Sequence, residues 1–173
     1  CGPDKTCPEG FVCRAAAGQA LCIDESSVRI TKTIVVTGHL PPYVMLAIDK
    51  SGSMNDPAFP GSPTTKWDDV LAALTEPEHG LLNADRDRAR WGLTLFPSGE
   101  GCDPGSVDVP LAPDRDNADL TIAELRRVVA AGRRPTALSL AAAVEDPRLS
   151  EQDHPLRWRA VVLLTDGLPN CNP

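Results

Sequence analysis

A chain of 173 residues that is 42% hydrophobic has material for one medium domain and a small appendage. Its formal net charge of −7 opposes binding to nucleic acid or to an anionic membrane surface and is compatible with cation binding. No apolar run approaches the roughly 18 residues of a membrane span, and no export leader opens the chain, so any leader is expected to have been removed or to lie outside it.

The first segment is defined by cysteine. Of six cysteines, Cys1, Cys7, Cys13 and Cys22 crowd the N-terminus, while Cys102 and Cys171 stand far apart. An even count with no histidine near the cluster favours disulfides, and with them an extracytoplasmic compartment: periplasm, cell surface or exterior. A four-cysteine zinc site fits poorly, because zinc knuckles pair cysteines two to four residues apart and the gaps here are five, five and eight. Residues 1–24 hold few large apolar side chains and read as a stapled module. The run from Cys7 to Cys13 resembles the small cysteine-rich repeats of secreted proteins, and that resemblance favours Cys1 with Cys13 and Cys7 with Cys22 among three connectivities. A lipid on Cys1 is the second choice, since it would leave five cysteines.

A polar linker, Asp24 to Ser27, leads to Val28–Thr37, a β-branched stretch that reads as a strand. The apolar run Tyr43–Ile48 predicts a buried strand that ends in Asp49-Lys50-Ser51-Gly52-Ser53. Asn55 to Thr64 is a proline-rich surface loop. Thr65-Lys66-Trp67-Asp68 matches a capping box, and Trp67, Val70, Leu71 and Leu74 follow at helical spacing as core residues. Ala89–Phe96 predicts a second sheet strand and Val107–Leu111 a short antiparallel edge strand. Thr121 to Glu124 matches a second capping box, for a helix carrying Ile122, Leu125, Val128 and Val129 up to Gly132. Another helix is predicted over Thr136–Val144, and a last strand, Arg159–Thr165, ends in Asp166-Gly167. His39, His79 and His154 are scattered, and no nucleophile has an adjacent base, so the chain does not read as an enzyme.

Asp49, Ser51 and Ser53 can aim three oxygens at one spot beyond their strand, which suits a hard divalent cation. Asp166 ends a second strand, and two parallel strands can bring both carboxylates to one sheet edge. This pairing of Asp-Lys-Ser-Gly-Ser with a later Thr-Asp-Gly resembles the von Willebrand factor type A domain and its metal-ion-dependent adhesion site. The resemblance covers Val28 to Pro173. It implies a doubly wound, mostly parallel α/β sheet with helices on both faces, incomplete at its C-terminal end because only seven residues follow Asp166. It also implies a cell-surface adhesion module that binds a protein or other macromolecule, through an acidic group of that ligand, on Mg2+ (or Mn2+ or Ca2+) held by Asp49, Ser51, Ser53, Thr136 and Asp166. The alternative is a structural or assembly domain whose metal site has degenerated.

One departure bears on that choice. The family commonly has Gly followed by Thr-x-Thr in its middle loop, the earlier threonine reaching the metal. Here the loop reads Gly132-Arg133-Arg134-Pro135-Thr136, with Arg134 in that earlier place. A guanidinium aimed inward would compete with the cation for Asp49 and Asp166; aimed outward, it would leave Thr136 or water to fill the gap. Cys102 and Cys171 each follow a strand at the same sheet edge, so a disulfide between them is expected.

Overall fold

The computed structural model describes residues 6–9, 11–16, 19–24, 40–112, 116–150 and 157–171. The chain divides into two compact units, Cys1–Gly38 and His39–Pro173. In the first, β1 (Phe11–Ala16) and β2 (Gln19–Asp24) form an antiparallel hairpin that sets Cys13 opposite Cys22. A lone hairpin is marginal in water. It is stapled by the expected Cys7–Cys22 disulfide, whose separation of 15 residues corresponds to about 3 kcal/mol of loop-closure entropy. Cys13 is also disulfide-bonded. The expected Cys1–Cys13 pairing and the strand over 28–37 lie outside the described residues.

The second unit is an α/β structure with a four-stranded mixed sheet. Its strands are β3 (Tyr43–Asp49), β4 (Arg90–Phe96), β5 (Ser106–Val109) and β6 (Arg159–Leu164). They lie in the order β5-β4-β3-β6, with β3 parallel to both neighbours and β5 antiparallel to β4, as its edge position predicts. The helices are α1 (Lys66–Thr75), α2 (Leu81–Ala84), α3 (Ala118–Leu125), α4 (Thr136–Val144) and α5 (Pro147–Ser150). None is long and apolar enough to cross a membrane.

Strand β3 is apolar as far as Asp49 because both its faces are covered. Leu46 and Ile48 pack with Trp67 and Leu74 of α1, Leu82 of α2, and Ile122 and Leu125 of α3. Tyr43, Met45 and Ala47 point the other way, into a cluster with Phe96, Leu111 and Ala143 of α4. Each fully buried side chain of this size contributes about 1.5–3 kcal/mol, so β3 is the member least free to move.

Helix α1 begins as predicted, with reciprocal bonds between Thr65 and Asp68. Helix α3 does not. It starts three residues before Thr121, which is fully buried inside it, and the Asp116 carboxylate takes the Ala118 N–H at 2.7 Å. An Asx-type bond captured the chain before the Thr121 box could act. The helix also stops at Leu125, and Val129, expected in its apolar stripe, is 80% exposed.

Candidate functional site

The chain runs from β3 outward to β4 and β5, then crosses back to place β6 on the other side of β3. At such a reversal the loops beyond the strand ends diverge and leave a crevice. Asp49 closes β3 there, and Thr165 and Asp166 follow β6. The Asp49 carboxylate is fully buried, accepting the Ser51 N–H at 2.8 Å on Oδ1 and the Thr165 hydroxyl at 2.8 Å on Oδ2. Ser53 stands on a short 3-10 turn, Gly52–Asn55, and donates to Asp166 Oδ1 at 3.1 Å. The Ser51 and Ser53 hydroxyl oxygens are 3.3 Å apart. Asp49, Ser51, Ser53 and Asp166 are thus gathered at one spot, as expected.

The loop after α3 is sewn to this cluster along its backbone. Ala131 N–H donates to Lys50 O at 2.7 Å, Gly52 N–H to Gly132 O at 3.0 Å, and the Asn55 amide to Ala130 O at 2.8 Å. Gly132 sits at φ +89°, and a Cβ there would stand 2.6 Å from Gly99 O, so only glycine lets the loop lie this close. Two residues on, Arg134 turns into the crevice.

Its guanidinium meets all four gathered residues. Nε lies 2.9 Å from Asp49 Oδ2 and donates to Ser51 Oγ at 3.3 Å. Nη2 lies 2.8 Å from Asp166 Oδ1 and donates to Ser53 Oγ at 2.5 Å. Nη1 donates to Leu168 O at 2.9 Å. A Cβ on Gly167 would come within 2.6 Å of Nη1, so that glycine leaves the room the guanidinium fills. On the far side Lys66, at the start of α1, holds Asp166 Oδ2 at 2.7 Å.

These distances test the site against a divalent cation. Ligands in adjacent corners of a Mg2+ octahedron lie about 3 Å apart, which the two serine hydroxyls and the Ser53–Asp166 contact approximate. The oxygen set therefore has the right chemistry and spacing. The position itself is taken, and the charge is already balanced: Arg134 and Lys66 cancel Asp49 and Asp166. With Arg134 in place, the residues do not fit a bound divalent ion.

Thr136, the remaining expected ligand, is not brought into this network. It opens α4, buried, with its hydroxyl unpartnered, because the proline before it starts the helix at that residue. Two members were missed from sequence. Thr165 reads there only as the last residue of a strand, and Lys66 as the second position of a capping box; no local pattern ties either to this cluster. Burial raises the Asp166 carboxyl, but the hydrogen bonds from Lys66 and Ser53 and the charge of Arg134 outweigh it and hold the group below the ordinary carboxylate range.

Cys102 and Cys171 are free thiols, not the expected disulfide, and burial together with the neighbouring Cys102 pushes the Cys171 thiol up. Their loops meet over the Arg134 backbone. Arg133 N–H donates to Gly101 O at 3.1 Å, and Asn170 bonds both the N–H and the C=O of Arg134, at 2.7 and 3.3 Å. No protein-family model matches this chain, and no curated protein matches it.

Proposed function

We propose that the second unit, His39–Pro173, is an extracytoplasmic binding module of the von Willebrand factor A kind, doubly wound, which engages a protein or other macromolecular ligand at the carboxyl edge of its sheet. The observation that carries this reading is the convergence of Asp49, Ser51, Ser53 and Asp166, 113 residues apart at Ser53 and Asp166, where the strand order reverses. A groove of about 310 Å³ beside them, between Met54 and Val70 on one side and Leu163 and Leu164 on the other, offers apolar surface next to the Lys66–Asp166 pair. Adhesion through Mg2+, Mn2+ or Ca2+ at this spot requires Arg134 to withdraw. Its guanidinium among the four residues supports the alternative, a structural or assembly domain whose metal site has degenerated.

The test is retention on the native cell surface by the whole chain and by Ser53→Trp, each with Mg2+ and with EDTA. Binding by the wild-type chain that is lost in Ser53→Trp supports this edge as the binding face. Equal retention of both chains refutes it. Loss of wild-type binding in EDTA would select the metal-dependent form.

A further inference from the structure

We propose that Arg134 is the resident cation of this site: its guanidinium, tethered to the chain, replaces a divalent ion and keeps one out. The inference rests on the same edge as the binding reading but concerns only what fills it, and it is tested without any ligand. A divalent cation would have to balance two carboxylates and organise two hydroxyls. Arg134 does both, its Nε set against Asp49 and Ser51 and its Nη2 against Asp166 and Ser53. A planar, permanently charged fork is suited to two carboxylates in a way an ammonium is not.

Three further features hold it there. The side chain is only 11% exposed, so little water competes for its donors. Its backbone is fixed on both sides by Asn170. Gly167 provides the space for Nη1, and Leu168 O accepts from it. Lys66 then makes the exclusion electrostatic as well as steric. A divalent ion added beside Arg134 and Lys66 would meet two positive charges and no uncompensated negative one.

The experiment is Mn2+ binding, read from the loss of the free-ion paramagnetic resonance signal, together with melting in EDTA and in millimolar Mg2+, for the wild-type chain, Arg134→Thr and Arg134→Gln. The expected result is no Mn2+ uptake by the wild-type chain and the same melting temperature in both buffers. Arg134→Thr should take up one Mn2+ at least about tenfold more tightly than wild type and melt higher with the metal than in EDTA. Arg134→Gln keeps bulk and amide donors without the charge, and it should bind Mn2+ between the two. One Mn2+ bound by the wild-type chain as tightly as by Arg134→Thr overturns the proposal. So does a pair of folded variants that bind no better than wild type, because Arg134 would then not be what excludes the ion. If neither variant folds, a wild-type melting temperature raised by Mg2+ overturns the proposal and an unchanged one supports it.

Discussion

Truncating Arg134 to alanine should destabilise the second unit strongly when metal is withheld. The variant leaves Asp49, whose side chain is fully buried, with a backbone N–H and one hydroxyl but no positive partner, while Asp166, 7% exposed, keeps Lys66. Removing one member of a buried ion pair costs about 3–5 kcal/mol. The crevice opens to water once the guanidinium is gone, so the lower end, about 3 kcal/mol, applies. For a unit of this size that corresponds to a fall in melting temperature of roughly 10 °C. The assay is urea and thermal unfolding in EDTA of wild type, Arg134→Ala, Asp49→Asn and the double variant. If the loss comes from an unpaired buried charge, neutralising Asp49 in the Arg134→Ala background should recover about 2 kcal/mol, a coupling visible only between groups in contact. Arg134→Ala within about 0.5 kcal/mol of wild type, or a double variant no more stable than Arg134→Ala, would refute the reasoning.

Two other outcomes follow from the same edge. Because the Asp166 carboxyl lies below the ordinary range in the folded chain, its contribution to stability should be complete above about pH 4 and disappear as pH falls through the lowered folded value. Urea midpoints measured down this range should therefore fall in wild type, and the fall should be shallower in Asp166→Asn; an identical profile would show that another carboxylate sets it. Mild oxidation with a small disulfide should join Cys102 to Cys171, closing roughly 70 residues and adding up to about 4 kcal/mol. A non-reduced digest that finds either cysteine linked to the N-terminal cluster would refute that pairing.

What was legible in the sequence, and what was not, divides along physical lines. The strands of the parallel core are buried on both faces, so Tyr43–Asp49 and Arg90–Phe96 appear as apolar runs with little dependence on context. The reciprocal cap at Thr65 and Asp68 is a local bond set that four residues determine. Residues 121–124 have the same local pattern, and there it failed, because Asp116 offered its carboxylate to the Ala118 N–H first and a cap is decided by whichever acceptor the chain reaches. The short reach of such rules also explains the site. Asp49, Ser51, Ser53 and Asp166 could be named because each lies at or within a few residues of a strand end that is legible. Lys66 could not, because its contact with Asp166 spans 100 residues and depends on how α1 lies against β6.

Arg134 belongs to both groups. Its place in the loop, where the family that the motif resembles has a threonine, was visible in the sequence, and so were the two directions it could take. The direction taken is settled by neighbours that no local pattern includes: Gly132 at φ +89°, which presses the loop onto Lys50 and Gly52, and Gly167, whose missing side chain leaves Nη1 its space. Glycines at 132 and 167 and a long cation at 134 are therefore one arrangement. A side chain at Gly167 should disturb the guanidinium first, since its Cβ would stand 2.6 Å from Nη1, whereas one at Gly132 would press on Gly99 and Pro97 just beyond the end of β4.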